Sequence, residues 1–206
     1  MKTTKRLFIG FPIVIESSLH AAIKRTKINA QQKGMEINWV PEANFHVTLN
    51  FLGDTEPNRL DDLRHVIESV SAQTPPLKTS LRGLGAFPDE RHMRVLWVGV
   101  RKSRALAELQ WNLDDALKAK AFPSEERDYV PHLTIARLRK ARSGTDLLSP
   151  YVRSAFGDVA INTLHLYESV HHGAHPVYEI MNKFKLSGTA VEDAAAVDGS
   201  EPSDPS

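Results

Sequence analysis

Two short phrases, "FHVTLNFLG" at 45–53 and "PHLTIARLR" at 131–139, each set a histidine and a threonine two residues apart inside an apolar run. A strand buried on both faces has little use for either residue. Side chains on a strand alternate between its faces. Alternation puts His46, Thr48 and Asn50 on one face of the first phrase, with Phe45, Val47, Leu49 and Phe51 on the other. In the second phrase, His132 and Thr134 share a face opposite Leu133 and Ile135. Half-polar strands favour antiparallel pairing with one wet face. The two histidines lie 86 residues apart, and each opens a comparable stretch. The pattern predicts an internal duplication whose halves meet face to face.

The rest of the chain supplies the partners. Strands are expected at "RLFIGF", "PLKTSLRGLGAF", "MRVLWVGV", "VAINTLHLYESV" and "VYEIMNKFKL". The last two read as a hairpin around the turn-like "HHGAHP". Residues 17–33 read as a helix stopped by Gly34. Asn58 is expected to cap a helix bearing Leu60, Leu63, Ile67 and Val70 at helical spacing. A second amphipathic helix opens near Ser103 and carries Leu106, Leu109, Leu113 and Leu117 on one face. A short helix is expected at 147–156. Strands with helices outside them make an α+β fold.

Composition removes several chemistries. None of the 206 residues is cysteine, which excludes disulfides, thiolate metal sites and thiol nucleophiles. The opening "MKTTKRLFIGFPIVIESSL" is basic and then apolar, as a secretory signal would be. Gly10, Pro12 and Glu16 interrupt it, and it reads instead as a first strand. No stretch approaches the roughly 20 apolar residues of a membrane span. From 187 onward there are five acids and no Lys or Arg, so 187–206 is expected to be a disordered acidic tail on a folded domain at 1–186. That leaves 26 basic and 20 acidic residues in the body, a balance suited to a phosphate-bearing ligand.

If the two polar faces meet across a cleft, two imidazoles and two hydroxyls surround one small volume. Imidazole titrates near neutrality, so one ring can act as base while the other acts as acid. Hydroxyls and a protonated ring can donate to an oxyanion. This set suits in-line displacement at phosphorus and requires no metal. His171, His172 and His175 could bind a metal on paper, but read as surface histidines of a hairpin loop. His165 and Tyr167 share a strand face and read as sheet packing.

The chain resembles the two-histidine (2H) phosphoesterases and, among them, the LigT-like RNA 2′,3′-cyclic phosphodiesterases, also called 2′–5′ RNA ligases. The hallmark of that family, two His-x-Thr/Ser-apolar motifs, is met by "HVTL" at 46–49 and "HLTI" at 132–135. "RLFIGFP", "WVPEANFHVTLNFLGD", "LGAFPDERHMRVLWVGV" and "HPVYEIMNKFKL" extend the resemblance over about residues 5–186. It implies two pseudo-symmetric lobes of antiparallel sheet with outer helices around a central cleft. It implies that His46 and His132 are the catalytic pair and that Thr48, Thr134 and Arg137 hold the phosphate. It implies that Phe51 stacks on a base, a common mode for unpaired RNA. Phe51 and Arg137 each lie five residues after their histidine, where strict alternation points them away from it. They reach the cleft only if each strand ends, twists or bulges first.

The expected reaction follows. Water opens a 2′,3′-cyclic phosphate at an RNA 3′ end, and the 3′ oxygen leaves, giving a 2′-phosphate. His132 is assigned as base and His46 as acid. With an RNA 5′-hydroxyl as nucleophile, the same chemistry makes a 2′–5′ bond. The strained ring stores the activation, so no cofactor is expected. The partner is RNA with a cyclic phosphate end. No protein partner or membrane is expected, and the chain reads as a cytoplasmic monomer. The alternatives are a 2H phosphodiesterase acting on a small cyclic nucleotide or ADP-ribose cyclic phosphate, and an RNA-end binding module without catalysis.

Overall fold

Half-polar strands need partners on both edges and helices on one face, and the chain supplies both in alternation. The computed structural model describes residues 4–124, 128–172 and 175–189. In chain order the elements are β1 (Lys5–Pro12), α1 (Ser17–Gln32), β2 (Asn38–Trp39), β3 (His46–Thr55), α2 (Leu60–Gln73), β4 (Leu77–Phe87) and β5 (Met93–Val100). They continue with α3 (Arg104–Ala119), β6 (His132–Arg142), α4 (Thr145–Leu148), β7 (Ala155–Ile161), β8 (Thr163–His172) and β9 (His175–Lys185). The strands form one sheet in the order β7-β4-β5-β6-β3-β1-β8-β9, with β2 added on β6. The pairings are antiparallel, as the half-polar pattern predicts.

The two expected halves lie in this order, but they join edge to edge in one sheet and not face to face, because the motif strands β3 and β6 pair directly. From the centre, β3-β1-β8-β9 runs one way and β6-β5-β4-β7 the other. The halves join through Val47 opposite Leu133, both wholly buried. A pseudo-two-fold axis through that pair exchanges β3 with β6, β1 with β5, and β8 with β4. The connecting helices knit the halves together. Helix α1 follows β1 yet packs on β7 and α4 of the other half. Helix α3 follows β5 and packs on α2 and β3 as well as β4. One apolar core results, reaching from Leu7 and Ile9 to Leu133 and Ile135.

Both amphipathic helices bury the expected stripe. Ser103 caps α3, its hydroxyl accepting from the Leu106 N–H at 3.1 Å. Asn58 does not cap α2. A proline-led 3-10 turn at Pro57–Arg59 carries Asn58 into the helical path, so its side chain no longer stands before the first turn. The short helix expected at 147–156 is α4, followed by a 3-10 turn at Ser149–Tyr151, and Phe156 already lies in β7. Pro150 lacks the N–H that would continue the helix.

"VAINTLHLYESV" is not one strand but two. It breaks at Asn162, where β7 leaves its partner β4 and β8 takes β1 in the other half. The hairpin of β8 and β9 forms as expected. Ser187 and Gly188 donate their N–H groups to the carbonyls of Ser71 and Thr74 at the end of α2, so the fixed chain runs past 186. Residues 190–206, with all five acids of the expected tail, lie outside the described residues. Among the described residues no helix is long and apolar enough to cross a membrane.

Candidate active site

The two motif strands carry the same irregularity at the same place. In the β1–β3 ladder, Gly10 pairs with Thr48 and Ile9 with Asn50, leaving Leu49 as an extra residue. In the β5–β6 ladder, Trp97 pairs with Thr134 and Leu96 with Ala136, leaving Ile135 extra. A bulge of one residue shifts the phase of everything after it. Asn50 and Ala136 therefore join the buried face, and Phe51 and Arg137 turn to the exposed one. From His46 to Leu52 and from His132 to Leu138, burial follows one shared order: half, full, half, full, full, exposed, full.

This corrects the alternation reading at two positions in the first strand. Asn50 does not share a face with His46 and Thr48. It is buried, and its amide donates to Asp114 Oδ1 on α3 at 2.9 Å. The other Asp114 oxygen meets Lys118 Nζ at 2.8 Å. Phe51 does not face the core but stands 61% exposed. The same phase shift brings Arg137 round in the second strand.

All six residues singled out above line one cleft of about 470 Å³: His46, Thr48, Phe51, His132, Thr134 and Arg137. The seam explains their arrangement. With Val47 opposite Leu133 in an antiparallel pair, His46 stands level with Thr134, and Thr48 with His132. Each histidine thus has the other motif's threonine as its neighbour across the seam. Gly10 lets β1 close against this seam from outside, since a Cβ there would lie 2.4 Å from the Val47 carbonyl oxygen. Tyr129, in the segment before β6, donates its hydroxyl to the Thr48 carbonyl at 3.3 Å and ties the two motifs together. Burial pushes the Tyr129 phenol up, so it stays a donor.

The imidazoles are held alike. His46 Nδ1 lies 2.7 Å from the Asn44 carbonyl oxygen, and His132 Nδ1 lies 2.8 Å from that of Val130. A carbonyl only accepts, so each Nδ1 carries its proton and each Nε2 keeps a lone pair when the ring is neutral. Their surroundings differ more. His46 sits among Phe8 and Tyr178, both 4.9 Å away between ring centres, and Tyr167 at 5.5 Å. His132 meets the edge of Phe87 at 5.0 Å and has Trp97 at 6.4 Å.

Burial pushes His46 down from 6.5 to about 4. The Asn44 carbonyl opposes this, while Arg137 and His132 add to it. Burial lowers His132 as well, opposed by the Val130 carbonyl and helped by Arg137.

No pattern in the sequence marks Phe8, Tyr178 or Tyr129 as part of the site, yet Phe8 and Tyr178 line the cleft and Tyr129 bonds to Thr48. Phe8 and Tyr178 lie far from either motif in sequence, and the pairing of β1 with β3, of β8 with β1 and of β9 with β8 brings them to the cleft. His165 and Tyr167 are buried as expected, but they also bond to each other. His165 Nδ1 and the Tyr167 hydroxyl lie 3.1 Å apart, and Tyr167 stacks on Phe8 at 4.8 Å. The side chains of His171, His172 and His175 lie outside the described residues. Among the described residues no group of three or more His, Asp or Glu is placed to hold a metal.

Comparison with known proteins identifies the family. The family model of the 2′-5′ RNA ligase superfamily matches residues 16–173. A relative from Aquifex aeolicus, named RNA 2′,3′-cyclic phosphodiesterase, is 32% identical over 190 residues, covering 89% of this chain and 98% of the relative. A relative of the same name from Methanothermobacter thermautotrophicus is 29% identical over 175 residues, covering 84% of this chain and 95% of its own. Among solved structures, TT0787 of Thermus thermophilus superposes with a TM-score of 0.72 at 25% identity, over 90% of this chain and all of the other. Escherichia coli LigT, solved with 3′-AMP, shares the fold with a TM-score of 0.66 at 22% identity, over 89% of this chain and 99% of its own. With the family model spanning both motif strands and these relatives matched almost end to end, the chain belongs to the 2′-5′ RNA ligase superfamily.

Proposed function

We propose that this chain hydrolyses the 2′,3′-cyclic phosphate at an RNA 3′ end to a 2′-phosphate, with His46 and His132 as the acid–base pair. The observation that carries the reading is the matched pair of bulged strands. Each presents a histidine with its Nδ1 tied back and its Nε2 free, beside a threonine, to one cleft. The names of the relatives supply the substrate class.

The chemistry balances without a cofactor. A neutral ring accepts a proton at Nε2 from water as its oxygen attacks phosphorus. The bond from phosphorus to the 3′ oxygen breaks, and that oxygen takes a proton from Nε2 of the other, charged ring. The products are a 3′-hydroxyl and a 2′-phosphate. The Thr48 and Thr134 hydroxyls and the Arg137 guanidinium donate to the non-bridging oxygens, where charge gathers. Phe51 offers its open face to the terminal base. At the position where one half of the duplication carries this aromatic, the other carries Arg137, and that difference gives the pseudo-symmetric cleft a base end and a phosphate end. With an RNA 5′-hydroxyl in place of water, the same transfers form a 2′–5′ bond. Every residue invoked comes from one chain, and the reading takes the protein as a cytoplasmic monomer.

The active form holds one proton between two rings. In the free protein burial lowers both rings, His46 to about 4, and a ring that holds its proton this weakly runs against the assignment of His46 as acid. A bound phosphate, an anion beside both rings, raises both. His46→Ala and His132→Ala should each lower turnover of a cyclic-phosphate RNA by about 10² to 10⁴, the usual worth of a positioned acid or base, with EDTA present throughout. Near-normal turnover in both variants would contradict the reading.

A further inference from the structure

Beyond His46 and Phe8, one wall of the cleft carries donors that the hydrolysis leaves unused. Arg6, Ser169 and Tyr178 line it from three neighbouring strands, β1, β8 and β9. Ser169 pairs directly with Tyr178. Glu168, the residue before Ser169, pairs with Leu7, so Arg6 and Ser169 stand level where that ladder ends. Arg6 and Phe8 are two apart on β1 and share its cleft face. Tyr178 meets Phe8 edge-on at 5.2 Å and His46 at 4.9 Å, so this row begins where the reacting ring's surroundings end.

The chemistry of the row is one-sided. The Arg6 guanidinium and the hydroxyls of Ser169 and Tyr178 make no hydrogen bond or ion pair with the described residues. Neighbouring charges are accounted for. Lys5 pairs with Glu168 at 2.5 Å, and Asp54 stands opposite Arg6 in the β1–β3 ladder without bonding to it. A cation and two unpartnered hydroxyls facing one cleft suit an anion with several oxygens. The corresponding β5 positions in the other half carry Val95 and Met93, which offer no such donors.

We propose that Arg6, Ser169 and Tyr178 form a second anion subsite, which takes the phosphodiester one nucleotide 5′ of the reacting ring. The proposal rests on the cyclic-phosphate reading above and narrows it: the preferred substrate is an oligoribonucleotide rather than a mononucleoside cyclic phosphate. The spacing fits. A base on Phe51 lies on the same wall, with the Phe51 and Phe8 rings 6.0 Å apart. Two residues of strand carry the wall about 7 Å further to Arg6, a distance on the scale of one extended nucleotide.

The test compares kcat/KM for a trinucleotide ending in cytidine 2′,3′-cyclic phosphate with that for cytidine 2′,3′-cyclic phosphate alone. The protein should favour the trinucleotide by about tenfold or more, and Arg6→Ala should erase most of that ratio, as loss of one charge-assisted contact does. Arg6 is exposed, so this exchange leaves the core untouched. A second readout is the salt dependence of binding to the trinucleotide 2′-phosphate. Its slope against log salt should shrink by about 0.7 in Arg6→Ala, one single-strand phosphate contact. Asp54→Asn should move the length preference the other way. Equal kcat/KM on both substrates, or an unchanged ratio and slope in Arg6→Ala, overturns the subsite and leaves the phosphodiesterase reading standing. No turnover of either substrate overturns both.

Discussion

His46→Asn should make the fold less sensitive to acid. The native His46 ring lies among Phe8, Tyr167 and Tyr178, and burial holds it down from 6.5 to about 4. A ring that binds its proton more weakly in the fold than in the unfolded chain stabilises the fold only while it is neutral in both. That contribution is complete above about pH 6.5. It is lost as pH falls toward 4, because the unfolded chain is then the more protonated state. At about 1.4 kcal/mol per pH unit, the fall from 6.5 to about 4 amounts to roughly 3 kcal/mol. Asparagine keeps a polar side chain at the site and removes the titration. His132 and His165 shift in the same direction, so the native protein has a steeper dependence than one ring explains, and only the difference between the two proteins isolates His46. Urea unfolding at pH 7 and pH 4.5 measures it. The native protein should lose about 2–3 kcal/mol more than His46→Asn across that interval. An equal loss in both would show that burial does not hold this ring neutral.

Two further perturbations separate the parts of the cleft. Phe51→Ala should raise KM for a cyclic-phosphate RNA by roughly 5- to 100-fold and lower kcat far less, the worth of one base–aromatic stack, as steady-state kinetics would reveal. A change confined to kcat would move Phe51 out of substrate binding. Replacing the 3′ oxygen of the substrate by sulfur supplies a leaving group that needs no acid. It should rescue one of His46→Ala and His132→Ala and not the other, and the rescued variant names the acid. Rescue of both, or of neither, would contradict a division of labour between the rings.

The pairing of histidine with threonine was legible because alternation on a strand is strict until something interrupts it. Residues 46–48 and 132–134 precede the interruption, and their faces follow directly. Leu49 and Ile135 are the interruption, and nothing about either announces a bulge. Each is a β-compatible apolar residue with no glycine or proline beside it. The shift shows only in the ladders, where Ile9 skips from Thr48 to Asn50 and Leu96 from Thr134 to Ala136. Asn50 was therefore misread and Phe51 left unexplained, although the bulge follows the same threonine in both halves.

Other misses share one cause. "VAINTLHLYESV" alternates well enough for a single strand, and its break at Asn162 depends on which partners β4 and β1 offer. The aromatics around His46 come from β1, β8 and β9, which only the sheet order brings to β3. Helix stripes and the Ser103 cap depend on near neighbours and could be read directly.

In the proposed function, two tied-back imidazoles in one cleft open a cyclic phosphate at its 3′ oxygen. The most direct measurement incubates the protein, with EDTA, with an oligonucleotide ending in 2′,3′-cyclic phosphate and identifies the product isomer by phosphorus NMR. The native protein should give a 2′-phosphate, and the His46→Ala, His132→Ala double variant should leave the ring intact. A 3′-phosphate, or ring opening that survives the loss of both histidines, would contradict that function.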